Sequence, residues 1–243
     1  MKYLMTFSYD GSNYNGYQKQ PNATTIQEVI ETSLTKINSN NEVTIHASGR
    51  TDAKVHALNQ KAHFILNQEV DPNKLRNSLN KMINNDIYIK DIKIVDDNFH
   101  ARYDVKEKEY MYKINLGEYN PLERNYIYQY NKDLNIENIE KAIKYFDGEH
   151  DFKSFTTNDN IQESYVRNIF NTKVELNNNI LTITFIGNGF MKYMVRNMVG
   201  LLIKIGENQF KPESVKDILD KKDRTSASIT ANAEGLYLKD VRY

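Results

Sequence analysis

The 243-residue sequence predicts an α+β protein made of two similar halves with mainly antiparallel sheets. Three observations carry this. Apolar residues switch repeatedly between a period of 2 and a period of 3.6, the marks of strands and helices. Near the N-terminus those segments run β-α-β-β-α-β, the order of a split βαβ, or ferredoxin-like, unit. The same order recurs in the second half, so the expected domains are residues 1–104 and residues 105–243, with two sheets meeting at a central cleft.

Tyr3, Met5, Phe7 and Tyr9 alternate with Leu4, Thr6 and Ser8, which reads as a first strand. A turn-rich stretch, Asp10 to Gly16, follows. Thr24 and Gln27 form a capping-box pattern. Behind it Ile26, Val29, Ile30, Leu34 and Ile37 share one helical face. Val43, Ile45 and Ala47 suggest a second strand, and Ala62, Phe64 and Leu66 a third. Asp71-Pro72 opens a second helix with a cap and a first-turn proline, and Leu75, Leu79, Met82 and Ile83 are its apolar side. Residues 87–95 are a fourth strand.

In the second half, residues 110–116 read as a strand, and Ile136, Ile139, Ile143 and Phe146 mark a helix. Residues 172–176 and 180–186 are strands joined by Asn177-Asn178-Asn179, a hairpin signal. Residues 190–205 are apolar nearly all round, as in a buried helix. A short helix over 212–219 and a last strand through Leu236, Leu238 and Val241 complete the pattern.

Composition narrows the function. Apolar residues are 40% and charged residues 26%, which is globular and not disordered. Cysteine is absent, which excludes disulfides, thiolate metal sites and a cysteine nucleophile. There is no run of eighteen apolar residues to span a membrane and no signal-peptide core, so a cytoplasmic location is expected. The 32 basic and 32 acidic residues cancel, so bulk charge does not announce a nucleic-acid partner.

Three segments stand out. Ser48 to Ala57 joins two apolar strands, carries charge of both signs, and is longer than a hairpin turn needs. A carboxylate near a guanidinium stays ionised, so Asp52 beside Arg50 is a candidate nucleophile, and equally a partner in a loop salt bridge. Between His46 and His63 the basic residues Arg50, Lys54 and Lys61 face Asp52 alone. In Lys106 to Lys113, lysines are interleaved with Tyr110 and Tyr112, giving rings to stack on bases and cations for phosphates, or a half-buried strand with a solvated face. In Gly187 to Gly200, the charge of Arg196 interrupts an apolar helix and calls for a partner. His46, His56, His63, His100 and His150 match no metal-ligand spacing, so no metal is expected.

At these segments the sequence resembles the tRNA pseudouridine(38–40) synthases, the A-type enzymes. Gly49 to Ala57 is similar to their G-R-T-D-x-G-V-H-A signature. Tyr9-Asp10-Gly11, Gly16-Tyr17-Gln18, Phe99 to Arg102, Tyr110 to Tyr112, His150 to Phe155, Gly189 to Gly200 and Gly235 to Leu238 resemble further motifs along the chain. Two departures are Lys54, where the family usually has Gly, and Ala231-Asn232-Ala233, which replaces a proline-containing run. Lys54 falls where an unusual backbone angle is expected.

The resemblance implies isomerisation of uridine to pseudouridine in the tRNA anticodon stem-loop without a cofactor. Asp52 would be the catalytic nucleophile. Tyr110 would stack on the flipped uracil, Arg196 would pair with Asp52, and Arg50 would fill the space the base leaves. The partners implied are tRNA and a second copy in a homodimer. Two other readings compete: a non-catalytic RNA-binding module using Tyr110 and the lysines, and a metal-dependent hydrolase using His46, His56 and Asp52.

Overall fold

The computed structural model describes residues 1–157, 164–227 and 229–243. In chain order its elements are β1 (Lys2–Tyr9), α1 (Ile26–Ile37), β2 (His46–Ala47), β3 (His56–Ile65), α2 (Pro72–Met82), β4 (Ile87–Ile94), β5 (Glu107–Asn115), β6 (Tyr128–Gln129), α3 (Ile136–Ile143), β7 (Gly148–Asp151), β8 (Val166–Asn177), β9 (Ile180–Gly187), α4 (Met194–Gly206), α5 (Ser214–Lys221) and β10 (Leu236–Arg242). The fold is α+β with mainly antiparallel pairing. Among the described residues no helix is long and apolar enough to cross a membrane.

Two compact units divide the chain: Met1–Lys106 with Tyr237–Tyr243, and Glu107–Leu236. The closing strand therefore returns to the first unit, although its place in the chain groups it with the second half. Pairing explains this. Tyr237 and Leu238 lie beside His56 and Ala57 in a parallel ladder, and the Tyr243 hydroxyl donates to the Ala101 carbonyl at 2.8 Å.

In the first unit β4, β1 and β3 are antiparallel neighbours, with Tyr3 opposite both Phe64 and Ile94. β2 pairs antiparallel with the far end of β3, through His46 and His63. The alternation read in the sequence puts Tyr3, Met5 and Phe7 in the core with Ala62 and Phe64. Ile30 and Leu34 of α1 and Leu75 and Leu79 of α2 are fully buried. Each such side chain contributes about 1.5–3 kcal/mol by leaving water.

The caps define the helix starts. Asp71 accepts from the Lys74 N–H at 2.9 Å, as its place before Pro72 implies. At α1 the cap is Thr25 and not Thr24: Thr25 is extended and its hydroxyl accepts from Glu28, while the Thr24 carbonyl accepts from the Asn15 N–H. β2 is shorter than the alternation at residues 43–47 suggests. Side chains of α1 take its backbone donors, Thr35 accepting from Val43 N–H and Glu31 from Ile45 N–H.

In the second unit β5, β9, β8 and β7 follow one another, all antiparallel, with β6 parallel to β5. The β8–β9 connection is a two-residue turn with Asn178 and Asn179 at φ 48 and 63, the left-handed pair that a type I′ hairpin needs. All of α4 is buried except Arg196 and Lys204, which accounts for its all-round apolar sequence. It begins at Met194, four residues later than the apolar run, because Tyr193 at φ 61 breaks the helical path. Phe146, Phe152, Phe155 and Phe185 cluster beneath the sheet with ring centroids 5.3–6.4 Å apart.

Candidate active site

The loop between β2 and β3 is anchored at both ends. At its start the Ser48 N–H donates to the Lys61 carbonyl, and the Ser48 hydroxyl donates to Gln60 at 2.7 Å. Gln60 in turn donates to the Gly49 carbonyl at 2.9 Å. At its end the turn closes on itself, with the Val55 N–H bonded to the Asp52 carbonyl.

The segment after β1 forms the floor of this loop. The Tyr9 hydroxyl and the Thr51 hydroxyl are 2.8 Å apart, the Tyr17 N–H donates to the Thr51 carbonyl, and the Lys54 N–H donates to the Tyr14 carbonyl. Gly11 and Gly16 make the close approach possible. A Cβ on Gly11 would lie 2.1 Å from the Val55 carbonyl oxygen, and one on Gly16 would lie 3.0 Å from that of Thr51. Burial pushes the Tyr9 phenol up to about 12, against its bond to Thr51. Burial, then the proximity of Tyr9 and Glu31, raises Tyr17 well above the usual tyrosine range. Both phenols are therefore un-ionised at neutral pH.

The result is a rigid loop presenting charged side chains to solvent. Asp52 is half-buried and Arg50 is exposed. Lys54 has φ 65, so the expected unusual backbone angle is present and a lysine occupies it. His56 closes the loop: it is buried, its Nδ1 accepts from the Gly11 N–H at 3.1 Å, and its ring stacks on Tyr237 at 4.7 Å.

Tyr110 and Arg196 belong to the second unit. Tyr110 lies on β5, 8% exposed, with its ring edge-on to Phe190 at 5.0 Å. Tyr112, two residues on, is buried, and its hydroxyl donates to the Asn232 carbonyl at 2.7 Å. Burial, reinforced by Glu234, raises its pKa well above the usual range. Arg196 sits in the first turn of α4, half-buried, over the Tyr193 ring at 5.2 Å, with its Nε donating to the Ala231 carbonyl at 2.8 Å.

Sequence reasoning missed what holds Arg196. The Ala231 N–H donates back to the Arg196 carbonyl at 3.0 Å. Gly200, one turn along, lets the strap pass: a Cβ there would lie 2.3 Å from the Ile229 carbonyl oxygen. Asn197, fully buried, accepts from the Thr230 hydroxyl at 2.7 Å and from Arg224 at 3.1 Å, and donates to the Phe155 carbonyl at 2.7 Å. The one signal available was a lone Asn inside an apolar helix, which must find partners when buried.

The structure separates the histidines that a metal-dependent hydrolase would need together. His46 lies opposite His63, whereas His56 starts β3, roughly 23 Å away at ~3.3 Å per residue. Among the described residues no group of three or more His, Asp or Glu is arranged to hold a metal ion.

Similarity to known proteins defines the class as an RNA-modifying isomerase. A family profile described as tRNA pseudouridine synthase matches residues 5–104 and 142–243. Proteins named tRNA pseudouridine synthase A are 45% identical in Streptococcus agalactiae serotype III (strain NEM316), covering 100% of this chain and 95% of the relative, and 42% identical in Streptococcus pneumoniae (strain 70585), covering 100% and 98%. That of Streptococcus thermophilus (strain CNRZ 1066) is 42% identical and covers 100% and 99%. A solved Cbf5-Nop10-Gar1 complex matches weakly, with a TM-score of 0.36 at 12% identity over 82% of this chain and 54% of that one. The chain belongs to the tRNA pseudouridine synthase family.

Proposed function

We propose that this enzyme converts uridine to pseudouridine at positions 38–40 of the tRNA anticodon stem-loop, in the cytoplasm and as a homodimer, with Asp52 as the catalytic nucleophile. The observation that carries the reading is the clamped loop, which holds the half-buried Asp52, flanked in sequence by Arg50 and Lys54, on a floor of backbone. Such fixation pre-orients a reacting group.

The reaction balances within the substrate. The bond from the sugar to the ring nitrogen breaks, the uracil turns, and a bond from the sugar to a ring carbon forms. That carbon loses a proton and the freed nitrogen gains one, so no electrons enter or leave. Asp52 starts the cleavage. Tyr110 stacks on the uracil, Arg50 fills the position it vacates, and Arg196 supplies a fixed positive charge. Extruding the nucleotide costs a few kcal/mol, on the order expected for base flipping and least in a loop.

The test is incubation with unmodified tRNA in the presence of chelator, with pseudouridine mapped by carbodiimide reaction. Product in the anticodon arm is expected. Absence of product, product elsewhere, or dependence on added metal overturns the reading. Asp52→Asn is expected to bind tRNA and to lose roughly 10⁴-fold or more in turnover, as loss of a nucleophile does. Normal turnover by that variant removes Asp52 from the role. Light scattering checks the dimer against the 28.4 kDa protomer.

A further inference from the structure

A run of aromatic rings in the first unit starts at His46, just before the loop of Asp52, and leads to Tyr103. His46 stacks on His63 at 4.9 Å, His63 meets His100 edge-on at 4.7 Å, and His100 stacks on Tyr103 at 4.2 Å. Tyr103 ends the run and is 74% exposed. A single exposed tyrosine needs no explanation, but this ring is backed by three others and has a cation beside it. The Arg102 guanidinium lies 5.8 Å from the Tyr103 centroid. Phe99 joins the run edge-on to His63 at 6.4 Å and meets Tyr243 at 4.9 Å, with the Lys61 ammonium 5.5 Å over the Tyr243 ring.

The segment carrying Tyr103 is locked in place. The His100 Nδ1 accepts from the Arg102 N–H at 3.1 Å, the His100 N–H donates to Asp104 at 2.8 Å, and the His63 Nδ1 accepts from the Ala101 N–H at 3.1 Å. Lys2 donates to the carbonyls of Asp97 and Phe99. Burial, with His100 and His46 adding, pushes His63 down to about 4, and burial also lowers His100. At neutral pH these two rings therefore offer faces and not charge. Fixed aromatic faces among cations are what an unpaired base stacks on, and a surface already ordered loses little entropy on binding.

We propose that Tyr103, backed by His100 and flanked by Arg102, is a stacking platform for an unpaired base of the RNA substrate, separate from the nucleotide that reacts at Asp52. The platform rests on the tRNA reading above and adds a second point of RNA contact. His63 lies roughly 23 Å along β3 from His56 at the loop's end, at ~3.3 Å per residue, and pairs with His46 just before the loop's start.

The experiment measures binding of end-labelled, unmodified tRNA by fluorescence anisotropy in chelator, with pseudouridine formation assayed in parallel. Tyr103→Ala is expected to raise Kd about 5- to 150-fold, the range for losing one base–aromatic stack, with unchanged turnover at saturating RNA. Tyr103→Phe keeps the ring and is expected to bind within roughly twofold of wild type, as a surface change elsewhere would. Equal affinity of Tyr103→Ala and wild type overturns the platform, and equal loss in Tyr103→Ala and Tyr103→Phe overturns the stacking by giving the RNA contact to the hydroxyl. A wild type that binds tRNA but makes no pseudouridine overturns the enzymatic reading, while the two Tyr103 variants still decide the platform.

Discussion

Around Asp52 the chain is held by its own backbone, whereas around Arg196 it is held by side chains. The loop from Ser48 to Val55 lies on Gly11 and Gly16 at distances that leave no room for a Cβ, and carbonyls and N–H groups make most of its bonds. The strap at residues 229–231 is instead tied by Asn197, Thr230 and Arg224, and by the Arg196 guanidinium itself. A backbone clamp tolerates changes of side chain but not added bulk. A side-chain network tolerates bulk at its rim but not the loss of a central member, because each buried partner left behind loses its hydrogen bond.

The largest effect is expected at the clamp. Gly11→Ala places a Cβ against the Val55 carbonyl, a rigid backbone atom, and should cost about 3 kcal/mol or more, at the upper end for overpacking. Urea denaturation measures it; a loss below about 1 kcal/mol would mean that the loop yields and is not clamped. Next comes the network. Asn197→Ala strands the Phe155 carbonyl and takes one bond each from Thr230 and Arg224, which remain bonded to each other, and should lower stability by about 1–3 kcal/mol, read as a shift of the urea midpoint. A near-neutral Asn197→Ala would show that the strap stands without the network. The smallest effect has the opposite sign. Lys54 is left-handed at φ 65, so Lys54→Gly relieves strain and should stabilise by about 0.5–1 kcal/mol, visible as a rise in melting temperature. A fall would assign the lysine side chain a contact that outweighs its backbone.

The same contrast explains what was legible in the sequence. Period and caps announced β1, α2 and the Asn178-Asn179 hairpin, because local residues decide them. The cap at Thr25 and the shortness of β2 were missed, because a distant N–H had claimed the Thr24 carbonyl and α1 side chains had claimed the donors of Val43 and Ile45. Arg50, Asp52, Tyr110 and Arg196 were readable as candidates from their chemistry and from resemblance. Gln60, Asn197, Thr230 and Arg224 were not, because nothing in their spacing shows that residues so far apart in the chain share hydrogen bonds. The odd backbone angle at Lys54 was anticipated from the glycine that usually stands there.

The return of β10 to the first unit orders events during synthesis. His56, which ends the loop of Asp52, waits for Tyr237 to stack on it, and Lys106 waits for the Arg242 carbonyl. Between those partners a ribosome must translate the second unit, about 130 residues at about 5–20 per second, so the gap is on the order of ten seconds. During that interval the nascent N-terminal sheet keeps one edge of β3 open to any extended chain it meets. That exposure ends only when the last strand emerges and covers His56 and Ala57.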